Sequence, residues 1–335
     1  MTIRTSLLAA LLGFTAIACD VPLQDVYELR SKTSVPKGLA YDPIPQVFYA
    51  TSLRGGEITM ITALGREYSF YEADEPNVAF HAAVVDAERR TLWVCAVEAA
   101  DPSLPRASLL GFDLDEGRLE RRVELSELWS APSPTGCQAL DVDAGGAVYV
   151  ADRVRPAIYR HDPATNKSGV LANTPELAGP GGEGSGISGL ALHPDGEHLV
   201  VALADPPALR VLTLEEPDEL GVVDFPQRPL GRAGDPRMSA AQGIAFVGDE
   251  LFVVFPGAVQ RVRFTDPDRL RTARVHTATA LPNGLSSATA ADGVAYAIDS
   301  DAFQVEALGV RPEPPFAIVR VDPVLFTADE DREEE

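Results

Sequence analysis

Six polar residues recur along the chain, each directly before a small residue. They are Lys37, His81, Gln138, Ser188, Gln242 and Asn283. In every copy Gly or Ala follows, and then Leu, Ile or Ala. Amides, a hydroxyl, an imidazole and one ammonium can hydrogen-bond a ligand, but they are a poor set for acid-base catalysis. If the fold gathers these six side chains, they predict a site that binds a small molecule or a partner protein.

Three aspartates each end the predicted second strand of a repeat, on the face where the inner strands begin. They are Asp152, Asp205 and Asp299. One interpretation is an acidic ring around the same site, with Asp205 and Asp299 available to a metal ion. The other is that each carboxylate bonds nearby backbone amides and shapes a turn, as Asp commonly does.

Two histidines, His193 and His198, flank the turn Pro194-Asp195-Gly196. Such a pair, facing each other across a hairpin, could bind a metal ion if a third ligand were present. The sequence offers no obvious third ligand, so a solvated hairpin end is the competing interpretation.

Two cysteines, Cys95 and Cys137, remain beyond the N-terminal region. Cys95 ends a predicted second strand and Cys137 precedes the next inner strand, so both are expected toward the same face of neighbouring repeats. An oxidising compartment would permit a disulfide between them. Two buried thiols are the alternative.

The elements that carry these residues are short strands in a repeated unit. The clearest copy runs from Thr135 to Pro163 and reads as three strands joined by tight turns. Copies begin near residues 37, 81, 138, 188, 242 and 283. A recurring unit of this length indicates a repeat architecture. Small residues at the start of each innermost strand are required where radial sheets converge, which predicts an all-β, six-bladed β-propeller.

The sixth copy contains only three strands. An isolated strand at Asp25 to Arg30 can supply the fourth, which predicts velcro closure of the ring by the N-terminal strand. The propeller is therefore expected to span residues 25–326. The acidic segment 327–335 is predicted to be a disordered tail.

The composition limits the partners. The chain has 335 residues, 45% of them hydrophobic, which is enough for a large single core. Its formal net charge of -22 repels phosphate backbones, so nucleic acid is not an expected partner.

The N-terminus predicts export. Residues 1–18 combine Arg4 with an apolar run too short to span a bilayer, as in a signal peptide. The sequence Ala16-Ile17-Ala18-Cys19 resembles the lipobox of bacterial lipoproteins, which implies lipidation of Cys19 and a tether over residues 19–24. We therefore expect a protein of the bacterial cell envelope, lipid-anchored to a membrane and periplasmic or surface-exposed. An ordinary signal peptide cut near Ala18 is the alternative.

The repeat resembles the NHL-repeat and gluconolactonase/regucalcin-like propellers. The resemblance rests on P-K-G-L-A-Y-D at Pro36, A-V-Y-V-A-D at Ala147 and L-P-N-G-L at Leu281. It implies a divalent metal at the channel mouth, held by a Glu, two Asn and an Asp. We call the positions of the six recurring polar residues the slots. Of these six residues only Asn283 matches a metal ligand of the family, and Lys37 replaces the Glu, so the metal site of the family is not expected to be retained.

Two functions follow from these observations. The leading hypothesis is a non-catalytic envelope binding or scaffold module without a cofactor, whose partner is a small molecule or an envelope protein. The alternative is a lactone hydrolase of the gluconolactonase type, using Ca²⁺ or another divalent metal around Asn283, Asp299 and Asp205.

Overall fold

The computed structural model describes residues 21–30, 34–75, 77–98, 105–130, 134–179, 186–217, 219–232, 235, 237–277, 284–302, 309 and 312–321. The regular structure of these residues consists almost entirely of strands, with short 3-10 helices at Leu125–Leu128 and Pro175–Leu177. None of the described helical segments is long and apolar enough to cross a membrane. The lipobox, Cys19 and the acidic tail lie outside the described residues.

The strands form six four-stranded antiparallel sheets, the blades. Each of the first five blades uses four consecutive strands, from the innermost to the outermost. Blade one contains β2 (Pro36–Asp42), β3 (Val47–Ser52), β4 (Glu57–Thr62) and β5 (Glu67–Glu72). Blade two contains β6 (Val78–Asp86), β7 (Thr91–Glu98), β8 (Arg106–Asp113) and β9 (Arg118–Glu124). Blade three contains β10 (Ala139–Val142), β11 (Val148–Asp152), β12 (Ala157–Asp162) and β13 (Lys167–Asn173).

The remaining blades complete the ring. Blade four contains β14 (Ile187–Leu192), β15 (His198–Leu203), β16 (Ala208–Thr213) and β17 (Leu220–Val222). Blade five contains β18 (Gly243–Val247), β19 (Glu250–Phe255), β20 (Ala258–Phe264) and β21 (Ala273–Thr277). Blade six contains β22 (Leu285–Ala291), β23 (Val294–Asp299), β24 (Phe316–Val321) and the N-terminal β1 (Val26–Leu29). The predicted six-bladed β-propeller is confirmed.

The N-terminal strand closes the ring. β1 pairs antiparallel with β24, with Val26 opposite Val319 and Leu29 opposite Phe316. Its side chains alternate, so Tyr27 and Leu29 are buried while Val26 is half exposed. This is the arrangement expected for an edge strand with one face on a core. The isolated N-terminal strand is thus the outer strand of the last blade, as its sequence predicts.

The core lies between the blades. The six larger hydrophobic clusters of the described residues each combine side chains from two neighbouring blades, so every blade has apolar contacts on both faces. The cluster between blades six and one contains Tyr27 beside Phe48 and Tyr296, with ring centroids 5.4 and 6.4 Å from that of Tyr27. Burial of both faces explains why the second strands, such as β15 and β19, are nearly continuous apolar runs.

A disulfide joins blades two and three. Cys95 on β7 and Cys137 just before β10 are bonded, with a Cα–Cα separation of 5.3 Å. Both are buried, and they belong to the cluster between these two blades. Because Cys137 directly precedes Gln138, the bond also holds the start of the third inner strand in place.

Candidate functional site

The inner strands surround a central channel whose two ends differ. We call the end at which the inner strands begin the upper face and the end at which they finish the lower face. At the upper face, residues from all six blades line a cavity of about 50 Å³. The polar residues among them are Lys37, His81, Gln138, Ser188, Gln242, Ser286 and Ser287. Five of the six predicted slot residues therefore meet at one place.

Local backbone irregularity positions these side chains. In blades one, two, four and six the register of the inner strand against its neighbour shifts at the slot, as in a β-bulge. In blades three and five, the slot residue precedes the strand and donates its N–H to the second strand. A bulge adds a residue on one strand and re-aims its side chain. The repeated irregularity presents one polar side chain per blade to the channel.

Blade six differs from the sequence prediction. Asn283 lies outside the described residues, and the described blade-six residue at the slot is Ser286, followed by Ser287 and Ala288. The Gly284-Leu285 pair has the same sequence as the Gly-Leu pair of other blades, but Gly284 lies three residues before Ser287, which occupies the corresponding position in blade six. Gly284 adopts φ +107°, outside the strand, and a side chain there would collide with Asp301. A shift of this kind leaves no mark in the residue pattern.

Small residues allow the inner strands to converge below the slots. A Cβ on Gly38 would lie 2.7 Å from the Cα of Ala82, and a Cβ on Gly189 would lie 3.0 Å from the backbone N of Ile244. A Cβ on Gly243 would lie 3.4 Å from the Cα of Ser287. The predicted column of small residues therefore has the expected packing role, with Ser287 and not Gly284 as its sixth member.

The slot side chains are largely withdrawn from bulk water. Lys37 is 2% exposed, and Gln138, Ser188 and Gln242 are also buried. Two carbonyls at the bulge in blade one accept hydrogen bonds from blade six. Ser286 Oγ–H donates to Lys37 O at 3.4 Å and Ser300 Oγ–H donates to Pro36 O at 2.5 Å. These bonds hold the Lys37 backbone against blade six, at the point where the ring closes.

The three strand-end aspartates do three different things. Asp152 is buried and accepts hydrogen bonds from the Gly136 and Val154 amides, both at 2.8 Å, and from the Tyr159 hydroxyl at 2.6 Å. It behaves as a turn-forming carboxylate. Asp205 is exposed in the turn after β15. Asp299 has a carboxylate neighbour at the upper face.

That neighbour is Asp301. An Oδ1 atom of Asp299 lies 2.8 Å, and one of Asp301 2.6 Å, from the point that a Cβ on Gly284 would occupy. Burial, together with the negative charge of Asp301, raises the pKa of Asp299 to about 6. Two carboxylates this close cannot both ionise easily. The sequence pattern did not identify Asp301 as a candidate. The one signal in the sequence that could have identified it is its position two residues after Asp299.

The described residues at the upper face do not fit the calcium site that the family resemblance implies. Calcium takes six to eight oxygen ligands including carboxylates. The polar residues that line the upper cavity supply hydroxyls, amides, an imidazole and the Lys37 ammonium. Among the described residues, no group of three or more His, Cys, Asp or Glu side chains is arranged to hold a metal ion. Asp205 and Asp299 therefore do not build one with any other described ligand of these types.

The two histidines meet at the lower face. His193 Nδ1 and His198 Nδ1 lie 2.8 and 2.7 Å from the same oxygen of Asp195. Burial of Asp195 is outweighed by hydrogen bonds from the Glu197 and His198 amides and the His198 ring, so its pKa falls below the usual range. The His193 ring also packs edge-on against Phe246 of blade five, with centroids 5.2 Å apart. The cluster joins a turn to the next blade.

The lower mouth of the channel is wider, with a volume of about 290 Å³, and most of the residues along it are aliphatic or aromatic. Its acidic member is Asp141, whose carboxylate accepts the Leu192 amide of blade four at 2.6 Å and the Val142 amide at 2.8 Å. Burial raises the pKa of Asp141 to about 6 despite these two bonds. Leu39, Leu140, Leu190 and Ile244 contribute to both cavities and narrow the channel between them.

Comparisons with known proteins show the fold. No protein-family model matches the chain, and no curated protein matches it. Similar solved structures include Mala s 1, the major allergen of Malassezia sympodialis, at 18% identity and TM-score 0.70, over 90% of this chain and 97% of that one.

Two enzymes are also similar in structure. A gluconolactonase of Xanthomonas campestris matches at 13% identity and TM-score 0.58, over 89% of each chain. The virginiamycin B lyase of Staphylococcus aureus matches at 14% identity and TM-score 0.55, over 81% of this chain and 80% of that one. At these identities the likeness defines a β-propeller fold, which hosts many unrelated activities.

Proposed function

We propose that this chain is an envelope-anchored propeller module that binds a small anionic ligand, or the anionic group of an envelope protein, at its upper channel mouth. One observation carries the proposal. The described residues that line the mouth supply the Lys37 ammonium, buried in the channel wall, together with amides, hydroxyls and the His81 imidazole, and they include no Asp or Glu. A lining of this composition suits an anion better than a metal ion, which prefers carboxylate ligands.

The size of the mouth supports recognition over catalysis. A volume of about 50 Å³ holds only a few water molecules, whereas pockets for drug-sized ligands measure roughly 300 to 1,000 Å³. A carboxylate or phosphate group would fit, with the rest of the ligand outside the described cavity. His81 and Gln138 stand on neighbouring blades and would orient it.

The test is a thermal melt with sodium gluconate and, separately, inorganic phosphate, against sodium chloride of equal ionic strength. We expect gluconate or phosphate to raise the Tm of the unmodified protein and of Lys167→Met, which loses an exposed lysine on β13. The Lys37→Met variant should lose this response, because methionine keeps an unbranched side chain of nearly the same length without its charge. An equal response in Lys37→Met would reject the proposed site.

The competing proposal is a gluconolactonase-like, metal-dependent lactone hydrolase. It is favoured by the likeness to a gluconolactonase over 89% of each chain and by the Asp299 and Asp301 carboxylates, which flank Gly284 directly after Asn283 in the sequence. Hydrolysis of gluconolactone that depends on calcium or zinc, together with a metal-dependent rise in Tm lost in Asp299→Asn, would favour the enzyme. The absence of both effects at millimolar metal would reject the enzyme.

A further inference from the structure

The first described residues are bonded to the lower face of blade one. The Val21 amide donates to Gln46 Oε1 at 2.9 Å, and Gln46 Nε2 donates back to Val21 O at 3.3 Å. Gln24 Nε2 donates to Ala63 O at 3.2 Å. Residues 21–24, which belong to the predicted tether 19–24, thus run along two turns of blade one.

Those two turns carry strongly exposed apolar side chains. Ile44, in the turn between β2 and β3, is 66% exposed, and Leu64, in the turn between β4 and β5, is 63% exposed. The turns lie side by side, because the Ala63 amide donates to Gln46 O at 3.1 Å. Arg66, on the second turn, is also exposed. Apolar residues with a cation beside them suit the interface of a bilayer, where the side chains enter the acyl region and the cation meets headgroup phosphates.

The position of the proposed anchor selects the occupant of this surface. Cys19 precedes Val21 by two residues, and consecutive Cα atoms are about 3.8 Å apart, so the Cα atom to which the lipidated side chain is attached is within about 8 Å of the Val21 Cα. Val21 is itself bonded to the turn that carries Ile44. A lipid anchor at this point would bring the membrane to the lower face of blade one before any other part of the described propeller.

We propose that the lower face of blade one, with Ile44 and Leu64 as its inserted side chains, lies against a zwitterionic membrane surface, so that the upper channel mouth faces away from the bilayer. This inference rests on the proposed anchoring through Cys19. It adds a defined orientation: the upper mouth is open to soluble ligands or to a partner across the envelope, and the lower cavity opens toward lipid.

The test uses the full chain, processed and purified from a bacterial host and reconstituted on phosphatidylcholine vesicles that contain a doxyl-labelled lipid. Single cysteines at Ile44→Cys, Leu64→Cys and Val154→Cys would carry one fluorophore each. Val154 is the matched control, an apolar side chain 47% exposed in the turn after β11, on the upper face. Cys95 and Cys137 are bonded and buried, so they do not compete for label.

We expect the doxyl lipid to quench the labels at 44 and 64 at least twice as strongly as the label at 154. Equal quenching at all three positions, or stronger quenching at 154, would overturn the orientation. The mass of the same purified chain separates this failure from failure of the anchor. Absence of an acyl mass on Cys19 would reject the anchor and the orientation together, whereas an acylated chain without selective quenching would reject the orientation alone.

Discussion

Two carboxylates at the same repeat position, Asp152 and Asp299, have different surroundings and different chemistry. Burial raises the pKa of both groups, but hydrogen bonds from amides and a hydroxyl oppose the rise at Asp152, whereas the charge of Asp301 adds to it at Asp299, whose pKa rises to about 6. The contrast follows from their neighbours. Backbone amides and a hydroxyl surround Asp152, and a second carboxylate stands beside Asp299. The same residue type at the same repeat position is thus a turn former in one blade and a strained charge in another.

The raised pKa of Asp299 predicts a pH-dependent gain in stability on its removal. The folded protein holds this proton more tightly than the unfolded chain, whose carboxyl titrates near 3.8, so Asp299 lowers the free energy of unfolding as pH rises from about 4 to about 6, and the loss persists above that. After allowance for solvent screening, Asp299→Asn should gain about 1 kcal/mol at neutral pH and nothing below about pH 4. Urea titrations at both pH values measure it.

Asp205→Asn is the matched control, since it removes the same charge from an exposed carboxylate of the same face. A gain in Asp299→Asn that is the same at every pH, or that Asp205→Asn reproduces, would show that the burial of Asp299 beside Asp301 is not its source.

At the scale of elements, close packing of side chains between strands sets how the blades fit against one another. Trp93 on β7 is 1% exposed, packs in the cluster between blades two and three, and contacts the His161 ring with centroids 5.5 Å apart. Its ring lies over Gly111 on β8, where a Cβ would come within 2.7 Å of the indole. Glycine here makes room for the largest side chain of the blade.

Gly111→Ala should therefore destabilise the fold. The added methyl group must displace a fully buried indole, and overpacking of this kind costs about 1 to 3 kcal/mol. Gly169→Ala on β13 is the control, because nothing lies within 4 Å of its added Cβ, and it should be neutral or gain up to about 1 kcal/mol. Chemical denaturation of both variants measures the difference. Equal stability of the two would mean that the indole moves without cost.

At the scale of the molecule, the ring depends on its closure by the N-terminal strand. β1 contributes Tyr27 and Leu29 to the cluster between blades six and one, and the Tyr27 hydroxyl donates to Ala63 O at 3.3 Å. The two ends of the chain are thereby joined in one sheet. Because every blade packs on two neighbours, loosening one junction exposes apolar surface on both sides of it.

Removal of the Tyr27 ring should lower the stability of the whole propeller. Tyr27→Ala is expected to cost about 3 to 5 kcal/mol, as for other buried aromatic truncations, and Tyr27→Phe about 1 kcal/mol for its hydrogen bond. Val26→Ala, on the same strand but 51% exposed, should have little effect. Deletion of residues 24–31 should lower the Tm sharply. Calorimetry would contradict this role if Tyr27→Ala melted like Val26→Ala.

Much of this protein follows from its sequence alone. Alternating short strands, tight turns and a column of small residues predict six blades, and the orphan strand at Asp25 to Arg30 predicts the closure. Lys37, His81, Gln138, Ser188 and Gln242 could be placed at one mouth, because each opens the same strand of its repeat. Strand periodicity and radial convergence are local requirements that every copy of the repeat must satisfy, so they are visible in the residues.

The tertiary structure decided the rest. Backbone bulges set which residue faces the channel, and in blade six that residue is Ser286 because Gly284 lies outside the strand. The narrow upper mouth, the approach of Gly284 to Asp299 and Asp301, and the bonding of Val21 to Gln46 depend on contacts between segments that are distant in the sequence. A bulge shifts register by one residue without changing composition, and long-range contacts have no periodic signature. The residue pattern therefore could not contain them.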